Sequence, residues 1–219
     1  MKKIKVLIAE DHTIVRQGLS ALLRSEPDIE VVGEASDGLE AVEMAKKINP
    51  DVVLMDIAMR NLNGIEATRR IKKLFPHIKV LVLTMYENEE WIFQILKAGA
   101  SGYLIKDSAM TELISAIRTI HQGDSYLSPS ISKKVIDEYI RKAEMGEKRS
   151  LDDLLSSRER EILQMIAEGN SVPKIASLLC ISKKTVDSHK THIMEKLNIH
   201  AKVGLIKYAI RMGLTKLEN

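Results

Sequence analysis

The chain has 219 residues, 45% hydrophobic and 29% charged, an ordinary globular composition with room for one large or two small cores. Its single cysteine excludes an internal disulfide framework and a cysteine-rich zinc site, and no apolar run approaches membrane-spanning length, so a cytoplasmic protein with no membrane partner is expected. The net charge of +3 hides a split: residues 1–125 carry 16 Lys/Arg and 18 Asp/Glu, residues 126–219 carry 17 and 12, and residues 183–216 carry eight and two, which suits a polyanionic partner.

In chain order, five short apolar runs alternate with longer stretches of helical period. The runs are IKVLIAE (4–10), EVVGEA (30–35), DVVLMD (51–56), KVLVLT (79–84) and SGYLIK (101–106). Between them TIVRQGLSALLRS, GLEAVEMAKKI, GIEATRRIKKLF and NEEWIFQILKAGA repeat apolar residues at three and four spacing, and AMTELISAIRTIHQG follows the last run. Five strands alternating with five helices predict an α/β domain over 1–125, a doubly wound parallel sheet buried on both faces. Residues 126–150 read as a linker with one helix, whose apolar stripe is Ile131, Val135, Ile136, Tyr139 and Ile140, followed by a joint at GEKRSLDD. Residues 151–219 are patterned throughout as helices, an all-α second domain of four.

Open parallel sheets bind ligands beyond the carboxyl ends of their strands. Those ends carry Glu10 and Asp11, then Asp56, Thr84 and Lys106. Three converging carboxylates repel one another unless a cation compensates, and an all-oxygen site suits Mg²⁺. Phosphoryl transfer needs the same set: Asp56 as nucleophile, the cation and Lys106 against charge on the transferring oxygens, and Thr84 as hydrogen-bond donor. His12, beside the acids, is expected in a solvated position at the start of the first helix.

IAEDH, VVLMDIAM, VLT and GYLIKD resemble the receiver domain of bacterial two-component response regulators. The resemblance implies Asp56 as phosphoacceptor, and Glu10, Asp11, Asp56 and the Ala58 carbonyl around Mg²⁺. It also implies that Thr84 and Tyr103 reposition on phosphorylation while Lys106 bonds the phosphoryl oxygens. Arg60 stands where the family often has proline, which removes a fixed φ, and altered loop mobility and phosphoryl lifetime are expected from it.

In the second half, Ser156 and Glu159 form a capping-box pair, Gly169 ends that helix, VPKIASLL is a short helix with Pro173 in its first turn, and Ser182 caps ISKKTVDSHKTHIMEKL. Helix, tight turn and helix with a basic face match the geometry that reads a DNA major groove. Lys183, Lys184 and Lys190 are placed against phosphates, with Thr185, Asp187, Ser188 and Thr191 also in the interface and Asp187, Ser188 and Thr191 within reach of base edges. His189 and His192 lack partners for a metal site and are assigned to backbone contact or packing. Cys180, among apolar residues, is expected to be a small buried hydrophobe.

LSSREREIL, IASLLCIS and KTVDSHKTHIMEKL resemble the LuxR-type helix-turn-helix, and receiver plus this domain is the NarL/FixJ family; the departures are Val172 and Pro173, where polar residues are commoner. The implied protein is a DNA-binding transcriptional regulator rather than an enzyme. Its implied partners are double-stranded DNA and a sensor histidine kinase, with RNA polymerase a further candidate. It would act as a homodimer through VGLIKYAIRMG, with apolar residues at 203, 205, 206, 209 and 210. An aspartyl-phosphate hydrolase is disfavoured because Ala58 occupies the place of a second acid, and a dinucleotide-binding protein because AEDHTIVRQG lacks a glycine-rich turn. A constitutive DNA-binding protein with a degenerate receiver is the remaining rival.

Overall fold

The computed structural model describes residues 3–106, 109–145 and 154–215. The chain forms two units, Met1–Gly146 and Glu147–Asn219. The joint expected at 146–153 lies outside the described residues.

The first unit alternates β1 (Ile4–Ala9), α1 (Thr13–Arg24), β2 (Ile29–Ala35), α2 (Gly38–Ile48), β3 (Val52–Met55), α3 (Gly64–Leu74), β4 (Lys79–Thr84), α4 (Glu89–Lys97), β5 (Gly102–Ile105) and α5 (Ala109–Gln122). The strands are parallel in the order β2-β1-β3-β4-β5, so the order reverses beside β1 and β3. Successive strand residues face opposite sides. Val6 and Ile8 therefore pack with Leu19, Leu23, Leu113 and Ile117 of α1 and α5, while Leu7 and Ala9 pack with Ala41, Ala45 and Ile71 of α2 and α3. Helix starts are fixed locally, since Asp37, Asn63 and Asn88 each accept a backbone N–H of the following turn.

Residues 126–127 add a sixth parallel strand, β6 (Tyr126–Leu127), and α6 (Pro129–Met145) follows it. Gly102 admits this strand, because a Cβ there would lie 2.8 Å from the Tyr126 carbonyl oxygen. The expected apolar stripe of α6 divides. Ile131 and Val135 pack with Trp91, Ile95 and Tyr103, whereas Ile136, Tyr139 and Ile140 face outward at 57%, 75% and 49% exposure.

The second unit comprises α7 (Ser157–Ala167), α8 (Val172–Leu178), α9 (Lys183–Leu197) and α10 (Lys202–Arg211) around Ile162, Met165, Ile175, Val186, Ile193, Leu205 and Ala209. The Ser156–Glu159 capping box starts α7, and Ser182 accepts the Thr185 N–H to start α9. Pro173 stands in the first turn of α8, where its missing N–H costs nothing. Cys180 is not buried: it is exposed, with φ 52° in the turn between α8 and α9. The reason is the turn itself. A left-handed residue after α8 lets Ile181 N–H reach the Ala176 carbonyl and turns the Cys180 side chain outward.

Candidate functional site

Four strand ends meet because the sheet is parallel and in register. Asp56 N–H donates to the Ala9 carbonyl at 2.9 Å, which fixes the residue after β3 beside the residues after β1. The chain then folds back tightly: Gly64 N–H donates to the Ile57 carbonyl at 2.8 Å, and a Cβ at Gly64 would lie 2.0 Å from the Asp56 carbonyl oxygen. Only glycine permits that approach. The loop between is anchored by buried Met59 and Leu62, by Asn61 donating to Asp37 at 2.8 Å, and by Gly38 N–H on the Leu62 carbonyl. Arg60 is exposed on it, and Ala58 is buried within it.

At the centre Asp56 is 4% exposed and Glu10 1%. Lys106 Nζ lies 2.6 Å from Glu10 Oε2 and 3.3 Å from Asp56 Oδ1, so the lysine pairs first with Glu10. The other Glu10 oxygen accepts His12 N–H at 3.1 Å and lies 3.0 Å from His12 Nδ1, which is also 2.7 Å from Asp11 Oδ1. Arg16 donates to the Glu10 carbonyl at 2.6 Å. Burial pushes the Asp56 carboxyl above the usual carboxylate range; Lys106 pulls it down, and Glu10 and Asp11 push it up again. Burial alone would depress the Lys106 ammonium, but Asp56 and Glu10 outweigh it and raise it, so it stays charged.

Thr84 is fully buried at the end of β4, and its hydroxyl has no hydrogen-bond partner among the described residues. Tyr103, on the neighbouring strand, donates its hydroxyl to the Tyr86 carbonyl at 2.7 Å. Burial, with Asp56 and Glu87 nearby, pushes that phenol far above its ordinary range and keeps it a donor.

Glu10, Asp11, His12 and Asp56 each offer a ligand atom within 4.8 Å of the others, so the cluster can hold a metal ion. Three carboxylates against one ammonium leave negative charge for a cation to neutralise, and their oxygens suit a hard one. His12 is both solvated at the head of α1, as the sequence implies, and part of this cluster, which sequence reasoning set aside. Its place beside two acids in EDH was the available signal. Arg16, which holds the Glu10 backbone, gave none.

On the second unit, Lys183, Lys184, Thr185, Asp187, Ser188 and Thr191 are exposed on α9 and Lys190 is half-buried, while Val186 and Ile193 face the core. Two hydroxyls are partly engaged: Thr185 Oγ pairs with Ser182 at the cap, and Thr191 donates to the Asp187 carbonyl, leaving its oxygen as an acceptor. Lys196, on the same helix, reaches Glu159 Oε2 at 2.7 Å and ties α9 to the start of α7. On α10, Leu205 and Ala209 belong to the core, whereas Val203 is 62% exposed and Ile206 and Ile210 are half-buried. No described helix is long and apolar enough to cross a membrane.

A family model described as the response regulator receiver domain matches residues 6–118, and one described as bacterial regulatory proteins, luxR family, matches residues 153–209. The oxygen regulatory protein NreC of Staphylococcus carnosus is 42% identical over 214 residues, covering 96% of this chain and 99% of its own. A solved RcsB response regulator of Salmonella typhimurium is 32% identical, with 95% of this chain and 98% of that one covered at a TM-score of 0.58. A structure of an RcsB–DNA complex is 30% identical, covering 96% and 99% at a TM-score of 0.60. With a buried acid cluster at the strand ends of one unit and a basic helix-turn-helix in the other, the chain belongs to the NarL/FixJ-type two-component response regulators, phosphorylation-regulated DNA-binding proteins rather than enzymes acting on an external substrate.

Proposed function

We propose that Asp56 is the phosphoacceptor and that a sensor histidine kinase is the donor. The observation that carries this reading is a carboxylate buried at the end of β3 with a lysine, two further acids and a threonine hydroxyl that has no partner among the described residues around it. An Asp56 carboxylate oxygen bonds to phosphorus as the bond from phosphorus to the donor imidazole breaks, and the histidine leaves with the electron pair. Mg²⁺ held by Glu10, Asp11, Asp56 and the Ala58 carbonyl supplies, when bound, stabilisation of charge on the phosphoryl oxygens. Lys106 turns from Glu10 to a phosphoryl oxygen. Thr84, whose buried hydroxyl has no partner among the described residues, gains one there, and Tyr103 follows it.

The phosphoryl group biases an equilibrium between states only by binding them unequally. In the favoured state the protein binds DNA as a homodimer: α9 enters the major groove with Lys183, Lys184 and Lys190 on phosphates, Asp187, Ser188 and Thr191 toward the bases, and Thr185 in the interface beside them. Val203, Ile206 and Ile210, three and four residues apart on α10, form the dimer seam. The solved RcsB structures include RcsB dimers on DNA, which supports this assembly here. Intact-protein mass after incubation with Mg²⁺ and acetyl phosphate tests the acceptor. The wild type is expected to gain one phosphoryl group and Asp56→Asn none; equal uptake by both would displace Asp56 from the role.

A further inference from the structure

The loop from 85 to 88, between β4 and α4, leaves directly from Thr84, and two successive carbonyls in it are held from outside. The Tyr103 hydroxyl of β5 donates to the Tyr86 carbonyl at 2.7 Å. Lys134, on α6, donates to the next carbonyl, that of Glu87, at 2.8 Å and to the Glu87 carboxylate at 2.7 Å. Around these bonds α6 is seated on the same surface. Ser128 N–H donates to the Tyr103 carbonyl at 3.1 Å, Ile131 is fully buried, and Val135 packs beside Trp91 and Ile95. The Tyr86 ring leans on Trp91 of α4, centroids 4.5 Å apart. The buried side chains of Gln94, on α4, and Ser128, at the head of α6, each leave a polar atom without a hydrogen bond among the described residues. The seam is thus tight in its apolar contacts and incompletely bonded in its polar ones, which makes it a low-cost place to open.

We propose that α6 is a clasp on the β4–α4 loop, closed by the Lys134–Glu87 pair, and that phosphorylation at Asp56 opens it. The inference rests on the phosphoacceptor reading above. For the Thr84 hydroxyl to reach a phosphoryl oxygen, the end of β4 moves toward Asp56, and residues 85–87 follow along the chain. Lys134 is anchored on a helix and bonded to both the backbone and side chain of Glu87, so the loop moves only by leaving it. Once that pair parts, α6 is held by Ile131, Val135 and the Ser128 N–H. Because α6 is the last element of the first unit before the stretch leading to the second, its release is the step that carries the signal between units.

Hydrogen exchange followed by mass spectrometry on the full chain tests this, with phosphoryl content read from intact mass in the same samples. Phosphorylated wild type is expected to exchange amides 130–141 about tenfold faster than unphosphorylated wild type. Lys134→Ala is expected to speed the same amides about threefold without phosphoryl, the loss of one partly exposed ion pair. The charge exchange Lys134→Glu with Glu87→Lys is expected to restore protection in part, through the ion pair alone, since a carboxylate at 134 cannot donate to the carbonyl of residue 87. Confirmed phosphoryl uptake with unchanged exchange of 130–141 would overturn the coupling and leave the phosphoacceptor reading standing. No uptake by the wild type would overturn that reading and the coupling together, while the exchange of Lys134→Ala would still decide the clasp: unchanged protection there overturns it.

Discussion

Two residues illustrate how local chemistry is overridden by place. Asp56 follows an apolar strand and is buried, a position that costs free energy for a charged group; Lys106 and a site for a cation make it tolerable, and the proposed phosphoryl transfer gives a reason for keeping the cost. Cys180 lies in an apolar run yet is exposed, since the turn of the helix-turn-helix needs a left-handed residue at that point. A side chain in that conformation costs about 1–2 kcal/mol. Cys180→Gly relieves it against the greater backbone freedom of glycine in the unfolded chain. A net gain of about 0.5–1 kcal/mol is expected, seen by calorimetry as a higher transition temperature for the second unit alone.

At the scale of elements, the loop after β3 shows that a missing residue type need not mean a missing restraint. Arg60 removes the fixed φ that a proline would supply, but Asn61 to Asp37, Gly38 to Leu62 and the buried Met59 and Leu62 fasten the segment on both sides. None of these contacts is visible in the sequence, because each joins residues from different loops. The tie between α9 and α7 is of the same kind. Burial would raise the Glu159 carboxyl, but hydrogen bonds from Lys196 and Ser156 hold it below its ordinary value of 4.5. A folded value below the unfolded one means that ionised Glu159 stabilises the fold above that range, and the contribution is lost as pH falls through the folded value. The second unit is therefore expected to lose stability on acidification below about pH 4.5. Glu159→Gln is expected to cost about 1 kcal/mol at neutral pH and to flatten that dependence. Thermal scans of both proteins from pH 3 to 7, taken as about the carboxylate range, check this.

For the whole molecule, the question is which surfaces remain for partners after each unit has built its core. Leu205 and Ala209 are spent on the core of the second unit, so the dimer seam proposed on α10 is confined to Val203, Ile206 and Ile210. Val203→Asp, at an exposed site, is expected to leave folding within about 0.5 kcal/mol. It should convert binding on an inverted-repeat duplex from two chains per DNA to one. Light scattering of the complex reads that stoichiometry, and two chains bound by the variant would remove α10 from the interface.

The sequence by itself determined the five-strand pattern, the residues at the strand ends, the capped helices and the basic face of α9, because each depends on local period or on topology that parallel sheets share. It also carried the strand-end residues proposed to accept the phosphoryl group, since strand-end position follows from the parallel alternation of strands and helices. Only the tertiary structure decided the rest. The two residues of β6 are too few to carry a period and pair only because Gly102 leaves room at the edge of β5. The stripe on α6 reads as one apolar face, yet packing buries Ile131 and Val135 and leaves Ile136, Tyr139 and Ile140 outside, since a helix has one period but its surroundings choose which part of the stripe is covered. Lys134 and Glu87 stand 47 residues apart and meet only when α6 packs beside α4, a contact that free energy of packing, not local preference, brings about.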